Sequence, residues 1–367
     1  MSLDIAWARG VDLSQVPSPA LLLGLEPIQK NLAHMVKIVG DPARLRPHVK
    51  THKLAFLVQR QLALGITRYK CATIAEAEMC AEAGAPDVLV ALQPVGPNLG
   101  RLLALQKKYT QTKFSTIVDD ASVVDAMVKA GERLEVLLDI DVGQHRTGIS
   151  PGPGAIVLYR KLAKASPLIA GGLHVYDGHV NQTDIGARAK ACAEAFAPVW
   201  ELRDKLLAEG LPVPKIVAGG TPTFPIHAAR RDVECSPGTT ALWDASYAAK
   251  LPDLDFSNAA VLLTRVVSKP GENRVCIDLG HKAVASEMPH PRVVFPDFPD
   301  AQFISHSEEH LVFESPGAER LAVGDELLGV PWHVCPTLAL HAEATVIVNH
   351  KVTSSCRIDA RARKITV

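Results

Sequence analysis

The segment of the sequence that carries the most chemistry is RPHVKTHK, residues 46–53. Lys50 stands at the end of an apolar-flanked run that predicts a β-strand, and burial there favours the neutral amine that forms a Schiff base with a carbonyl group. If the strand continues, alternation places His48, Lys50 and His52 on one face. A lysine that snorkels to solvent from a barrel rim gives the same spacing, so the residues alone leave both interpretations open.

Two turns of small residues could bind a phosphate group. One is Gly219-Gly220-Thr221 and the other contains Ser236 and Gly238, and each follows a predicted strand. Backbone N–H groups in such turns can donate to phosphate oxygens. A single Gly-Gly pair is more typical of an ordinary tight turn, but two such turns after neighbouring strands favour a phosphate site.

Two further positions carry reactive side chains. In the motif His333-x-Cys335, an extended backbone would place both side chains on one face, and an imidazole with a thiolate is a good pair for zinc. A buried structural histidine and cysteine would show the same spacing. His179 follows Tyr176 by three residues. A histidine in that loop could act as a catalytic base, donate a hydrogen bond, or have no catalytic role.

The scaffold for these residues is predicted by eight short β-rich runs that alternate with helical patterns up to about residue 240. This alternation indicates βαβ units, and eight units are the count of a closed (β/α)8 TIM-type barrel; an open doubly wound sheet is the alternative. In such a barrel the active site lies at the C-terminal ends of the strands. The runs are residues 44–50, 68–73, 87–92, 114–119, 134–142, 168–176, 215–220 and 232–236.

Beyond about residue 255 the sequence changes to runs such as AAVLLTRVVSK and ATVIVNHKV, which are typical of antiparallel strands. We therefore predict an α/β chain with two domains. A barrel domain covers residues 17–250, and a C-terminal antiparallel β domain covers residues 251–367 together with the N-terminal segment 1–16. The second domain carries His333 and Cys335.

Composition narrows the class of partner. Lysine plus arginine and aspartate plus glutamate both number 39, so no net charge supports binding to nucleic acid or to an anionic membrane. No apolar run reaches the roughly 18 residues of a membrane span, and the N-terminus lacks a signal-peptide pattern. We expect a cytoplasmic protein that acts on a small molecule. The seven cysteines lack paired C-x-x-C spacing.

Taken together, these motifs resemble the D-threonine aldolase and D-serine dehydratase family. The resemblance covers essentially the whole chain: the RPHVKTHK octapeptide, the D-x-G-x-x-R-x-G run of residues 141–148, Tyr176, the GGT turn and the late H-x-C. Members are pyridoxal phosphate (PLP) enzymes of the alanine racemase fold type. The resemblance implies that Lys50 forms the Schiff base with PLP and that Arg146 lies near the phenolic oxygen. It also implies that the GGT turn holds the phosphate and that Tyr176 lines the cofactor pocket.

The same resemblance implies that His333 and Cys335 bind a divalent metal, zinc or manganese, which contacts the β-hydroxyl group of a D-amino acid. It further implies a homodimer. His-x-Cys is the pattern of the zinc-dependent dehydratases, whereas the aldolases more often carry His-x-Asp. Gln182 stands where the aldolases have a histidine proposed as general base, so His179 is the alternative candidate.

Four activities are compatible with these residues. We expect aldolase-like cleavage of a β-hydroxy D-amino acid to glycine and an aldehyde. The alternative lyase reaction is elimination from D-serine or 3-hydroxy-D-aspartate, which gives a keto acid and ammonia. A racemase would need a second acid/base group and no metal. A PLP carrier would usually be a bare barrel, so the β domain with its H-x-C motif argues against that class.

Overall fold

The structure is a computed structural model that describes residues 3–367 and divides into two compact units. The barrel unit contains residues 35–50, 55–238 and 362–367, and the β unit contains residues 3–34, 51–54 and 239–361. This division differs from the predicted boundaries, because residues 17–34 and 239–250 belong to the β unit. Strands β1–β16 and helices α1–α10 are numbered in chain order.

The barrel unit is built on seven parallel strands, each paired with its neighbour along the chain. Most of their residues are buried, as expected for a parallel sheet covered on both faces. Leu89, Ile117, Leu137 and Val217 form one apolar cluster inside it. The strands are β2 (Arg68–Cys71), β3 (Asp87–Val90), β4 (Lys113–Val118), β5 (Glu135–Asp141), β6 (Ile169–Tyr176), β7 (Ile216–Ala218) and β8 (Glu234–Cys235).

The eighth position of the barrel is occupied by residues 45–48, which make only isolated bridges. Leu45 bridges Cys235 on β8 and His48 bridges Lys70 on β2, both in parallel. The segment therefore connects the two edges of the sheet, and the predicted TIM-like fold is confirmed. The prediction of a regular strand over residues 44–50 was wrong, because Pro47 has no N–H to donate to the hydrogen-bond ladder of a sheet.

Lys50 consequently lies outside any strand. Residues Val49–Thr51 form a 3-10 turn, so the expected alternation of His48, Lys50 and His52 on one strand face is also wrong. The segment is anchored just before this turn by Arg46, whose Nε and Nη1 lie 2.6 and 2.7 Å from carboxylate oxygens of Glu234 and Asp87. This buried arginine ties the closing segment to β8 and β3.

Helices cover the barrel strands, and local sequence signals set their ends. Thr73 accepts a hydrogen bond from the backbone of Glu76, whose carboxylate accepts one from the backbone of Ala72, in the pattern of a capping box. Gly131 ends another helix in the left-handed conformation. The helices are α2 (Ala55–Ala63), α3 (Ile74–Glu82), α4 (Pro97–Lys108), α5 (Ala121–Ala130), α6 (Pro153–Lys164), α7 (Ile185–Ala208) and α8 (Phe224–Ala228); α1 (Leu25–Val39) precedes them.

The β unit contains a nine-stranded sheet with the principal order β12-β13-β10-β9-β1-β15-β16. Its pairs are antiparallel, except that β1 pairs with β15 in parallel, so the sheet is mixed rather than purely antiparallel as predicted. The strands are β1 (Ala20–Gly24), β9 (Ala260–Gly271), β10 (Arg274–Ile277), β11 (Val293–Val294), β12 (Gln302–His306), β13 (Leu311–Glu314), β14 (Glu326–Pro331), β15 (Glu343–Val348) and β16 (Lys351–Arg357); the helices are α9 (Ala245–Lys250) and α10 (Val334–Leu340).

The N-terminal strand explains the shifted boundary. Leu22 on β1 packs in an apolar cluster with Val261, Leu263 and Ile347 of the same sheet, so residues 20–24 are a central strand of the β unit. Within residues 3–367, no helix combines the length and apolar character needed to cross a membrane.

Candidate active site

A cavity lies in the barrel unit, at the carboxyl ends of β5 and β6. Its lining is cationic and aromatic, with a single carboxylate. The side chains that bear on chemistry are His48, Lys50, Lys70, Asp139, Gln144, Arg146, His174 and Tyr176. Lys50, Arg146 and Tyr176 were all predicted from the sequence, and the structure brings these three together.

The Tyr176 ring is the centre of this group. Lys50 Nζ lies 5.8 Å from its centroid and Arg146 Cζ lies 5.1 Å from it, and both are within cation–π range. On another side, a Cβ added to Gly220 would be 3.0 Å from Cε2 of the same ring. One aromatic side chain therefore adjoins both Lys50 and the GGT turn.

The two small-residue turns are joined directly. The backbone N–H of Gly238 donates to Oγ1 of Thr221 at 3.1 Å. Ser236, in the second turn, is held by a hydrogen bond that its hydroxyl donates to the backbone carbonyl of Arg46 at 2.8 Å. Gly219 has φ +78° and a Cβ there would be 2.6 Å from the His227 ring, so glycine is required by both backbone and space.

Beneath the GGT turn lies a buried cluster of Asp177, Thr223, His227 and Cys192. Asp177 accepts a hydrogen bond from the Thr223 hydroxyl at 2.8 Å, and its other oxygen lies 2.8 Å from Nε2 of His227. Within residues 3–367, Asp177, Cys192 and His227 form the one group of three close enough to share a metal ion. Burial raises the pKa of the Cys192 thiol to about 12, and the carboxylate already pairs with the imidazole. We interpret the cluster as a hydrogen-bonded support for the turn.

Several polar groups of the cavity were missed from the sequence, among them Asp139, His174 and Lys70. Asp139 and His174 occupy paired positions of β5 and β6, and Oδ1 of Asp139 lies 2.6 Å from Nδ1 of His174. Lys70 on β2 is 2% exposed, and its Nζ lies 5.7 Å from the Tyr176 centroid. The signal was available: in LLDIDVG and GLHVYDG the inward residues alternate with period two.

Several polar atoms around the cavity are buried and lack a hydrogen-bond partner among the described residues. They include Nε2 of His174, Oε1 of Gln144 and Nδ1 of His179. Unpaired buried polar atoms are rare in proteins, and a bound ligand satisfies them. His179 adjoins the Asp141–Gly148 loop, because a Cβ on Gly143 would be 3.0 Å from its Nε2. Gln182 is exposed.

In the β unit, His333 and Cys335 stand at the start of a helix. His333 is the N-cap of α10 and Cys335 lies in its first turn, so the predicted extended conformation was wrong. The helix begins at Val334, and Pro336 is tolerated in its first turn because a missing N–H there has no partner to lose. The two side chains still interact, because Cys335 is among the groups that raise the pKa of His333.

Neighbouring groups hold this pair in place. Nδ1 of His333 lies 2.5 Å from Oε1 of Glu287, and Asp244 accepts a hydrogen bond from the backbone of Val334 at 3.1 Å. Burial lowers the pKa of His333, but the bonds to Cys335 and Glu287 outweigh it and raise the pKa to about 9. Cys335 Sγ also lies 3.3 Å from Oγ1 of Thr51. A histidine oriented by a carboxylate beside a thiol is a frequent metal-ligand arrangement.

The chain was compared with known proteins. Residues 23–242 match the family described as "Alanine racemase, N-terminal domain", and residues 259–347 match "Putative serine dehydratase domain". A D-threonine aldolase from an Arthrobacter species is 33% identical over 362 residues, which cover 96% of this chain and 94% of that enzyme. A 3-hydroxy-D-aspartate aldolase from Paracoccus denitrificans (strain Pd 1222) is 30% identical, covering 98% of this chain and 96% of that enzyme.

Structural comparison agrees with these matches. The crystal structure of D-threonine aldolase from Filomicrobium marinum has a TM-score of 0.87 at 28% identity, covering 96% of this chain and 98% of that one. A barrel unit with a catalytic-type cavity and a β-sheet unit define the class of alanine racemase-like enzymes. Within that class the chain belongs to the D-threonine aldolase and D-serine dehydratase family, whose members are PLP-dependent lyases.

Proposed function

We propose that this protein is a PLP- and metal-dependent lyase that cleaves β-hydroxy D-amino acids to glycine and an aldehyde, as a D-threonine aldolase does. The observation that carries the proposal is the position of Tyr176, which adjoins both Lys50 and Gly220. PLP is a compact cofactor with an aldehyde and a phosphate. Its site needs an amine that reacts with the aldehyde and, close by, a glycine turn that binds the phosphate. The full-length similarity to an aldolase supports the same activity.

The residues of the barrel unit fit PLP. Lys50 would hold it covalently, and Gly219, Gly220, Thr221, Ser236 and Gly238 form the turns that would receive the phosphate. Arg146 and the unpaired atoms of His174 and Gln144 face the space between them. When bound, PLP withdraws electrons from the α-carbon of an attached amino acid. The lining charges suit it, because PLP is anionic and the cavity is rich in cations.

The metal would be held by His333 and Cys335. Two protein ligands leave coordination positions open, which is the arrangement of catalytic rather than structural sites. A zinc or manganese ion there would polarise the β-oxygen of a substrate, and Glu287 would keep the His333 ring oriented. The pair is proposed from its motif and from the carboxylate of Glu287 beside His333.

Proton transfer from the β-hydroxyl group requires a base. We propose His179 for this role, because Nδ1 of its ring is buried without a partner among the described residues and Gln182 is exposed. Tyr176 would help to hold Lys50 and Arg146 in position through cation–π contacts with its ring. Removal of the hydroxyl proton, together with metal assistance, favours breaking Cα–Cβ over the other bonds to the α-carbon.

Elimination of the β-hydroxyl group is the second candidate function. Cys335 in place of the aspartate common in aldolases favours it, and the match to the serine dehydratase domain spans this motif. In that reaction a base would take the α-proton, and a metal ion held by His333 and Cys335 would assist departure of the hydroxyl group. We keep the aldolase reaction first because both the Arthrobacter and the Paracoccus relatives are aldolases.

Product analysis tests the proposal. The protein, supplied with PLP and zinc or manganese, is incubated with D-threonine, D-allo-threonine, D-serine and 3-hydroxy-D-aspartate, with L-threonine as the control. We expect glycine with an aldehyde by mass spectrometry. Keto acid and ammonia would identify the dehydratase instead, and an L-amino acid with no sensitivity to EDTA would identify a racemase. A homodimer and a cytoplasmic location remain predictions, the first checked by light scattering.

A further inference from the structure

Lys70 is a buried cation that has no counter-ion among residues 3–367. Its side chain is 2% exposed and lines the same cavity as Lys50. Within residues 3–367, its ammonium group makes no hydrogen bond or ion pair. Fully buried lysines normally have a paired carboxylate, because an isolated ammonium loses its hydration. An unpaired amine that faces a cavity therefore indicates that a ligand completes its environment.

The charges around Lys70 are mostly of its own sign. Lys50 and Lys70 lie at nearly equal distances, 5.8 and 5.7 Å, from the Tyr176 centroid, and Arg146 lies at 5.1 Å. Arg46 contributes a further positive charge from the closing segment. His48 forms a parallel bridge with Lys70, and the Tyr176 ring lies within cation–π range of the ammonium group.

The nearby carboxylates already have partners. Asp139 pairs with His174, and Asp177 bonds to Thr223 and His227. Burial, followed by repulsion from Lys50, lowers the pKa of Lys70 to about 7, while Asp177 and Asp139 act in the opposite direction. The amine thus changes charge near neutral pH unless an anion binds beside it.

We propose that Lys70 is a second cofactor-contacting cation of this cavity, and that its charge disfavours protonation of the Lys50 nitrogen once PLP is attached there. The inference rests on the proposed function, because it requires PLP on Lys50. Electrostatic coupling between two sites is reciprocal, so if the charge on Lys50 opposes the charge on Lys70, the converse holds equally. An unprotonated nitrogen at this bond could accept the proton of an incoming substrate ammonium group, which would leave the substrate amine neutral for its attack and activate the carbon that it attacks.

A purely structural lysine would have no such effect. If Lys70 only filled space in the barrel, replacing it by methionine, which has a similar volume, would leave the proton affinity of the Lys50 nitrogen unchanged. If Lys70 acts through its charge, methionine should raise the proton affinity of that nitrogen, whereas arginine should leave it unchanged. The comparison of these two substitutions therefore separates an electrostatic role from a packing role.

The experiment is a pH titration of the visible absorbance of the PLP-loaded protein, which reports the protonation of the Lys50 nitrogen. For Lys70→Met we expect the midpoint to rise by about one pH unit or more, which is tenfold in proton affinity. For Lys70→Arg we expect it to stay close to wild type. Lys129→Met, an exposed lysine of the same unit, is the matched control. If the methionine variant does not fold, Lys70→Gln carries the same expectation.

The outcomes separate this inference from the proposed function. A wild-type protein that binds no PLP would contradict both. PLP attached to Lys50 with an unchanged midpoint in Lys70→Met, or in Lys70→Gln, would overturn the role of Lys70 alone. An equal rise in Lys70→Met and Lys70→Arg would also overturn it, because arginine keeps the charge.

Discussion

Nδ1 of His174 lies 2.6 Å from Oδ1 of Asp139, at paired positions of β6 and β5. Burial is the largest influence on this imidazole and lowers its pKa, although Asp139 opposes the shift. The ring is therefore neutral near pH 7, with its proton on Nδ1 facing the carboxylate. Nε2 is then an acceptor, and it is one of the buried atoms at the cavity that have no hydrogen-bond partner among the described residues.

Asp139→Asn tests the importance of this tautomer. Losing a hydrogen bond to a charged group costs about 1.5–3 kcal/mol, so we expect activity to fall by about one to two orders of magnitude while PLP remains bound. Steady-state rates and the visible spectrum give the two readouts, and Asp125→Asn, at an exposed position of α5, is the control. Wild-type activity in Asp139→Asn would show that the pair only stabilises the barrel.

The GGT turn can be tested by crowding it. In Gly220→Val the new side chain meets the Tyr176 ring, since even a Cβ would be 3.0 Å from it, so PLP affinity should fall about tenfold or more with the fold retained. Equilibrium titration of the apo-protein with PLP measures the change. Gly152→Val is a matched control because nothing lies within 4 Å of its Cβ. Equal affinities in the two variants would remove this turn from the phosphate site.

Metal binding should depend on Cys335 but PLP binding should not. Cys335→Ala removes a ligand and its charge, so we expect loss of the metal and a fall in turnover of about 100-fold, while the protein stays yellow. Cys335→Asp supplies a harder ligand and should shift preference from zinc toward manganese. Elemental analysis alongside activity gives the result.

Cys276→Ala is the control for the cysteine variants, because Cys276 is also a half-buried thiol of the β unit and lies on β10. It should keep its metal. Full activity of metal-free Cys335→Ala would be incompatible with a metal-dependent lyase and would favour a racemase or carrier.

Lys70 gives a pH-dependent stability prediction for the apo-protein. Folding lowers its pKa from 10.5 to about 7, so below pH 7 the lysine is protonated in both states and the full cost of burying the charge is present. Between about pH 7 and 10.5 Lys70 is protonated in the unfolded state but not in the folded state. The free energy of unfolding therefore rises with pH in this range. Lys70→Met should therefore stabilise the apo-protein most at pH 6 and least at pH 10, as measured by urea unfolding. A gain independent of pH would contradict a buried titrating amine.

The sequence was sufficient for the fold class and for part of the site. Alternating runs predicted the barrel, and the resemblance to a known family implied that Lys50, Arg146 and Tyr176 belong to one site. The structure brings these three side chains to one cavity. A motif is local, so functional side chains that lie within a few residues of one another can be recognised from the sequence.

What could not be predicted depends on pairing between distant segments. Asp139 meets His174 only through the register of β5 with β6, and Lys70 reaches the cavity only because residues 45–48 close the barrel beside β2. The β1 strand was placed in the wrong domain because its partners, β9 and β15, lie more than 200 residues away. A period-two pattern shows which side chains share a face but not which strand lies next to them.

The most direct test of the account is the position of the PLP-bearing lysine. The PLP-loaded protein is reduced with borohydride, digested and analysed by mass spectrometry. We predict that the reduced adduct lies on Lys50 and that Lys70, in the same cavity, is unmodified. An adduct on Lys70 or on any other lysine, with Lys50 unmodified, would contradict the assignment of the active site.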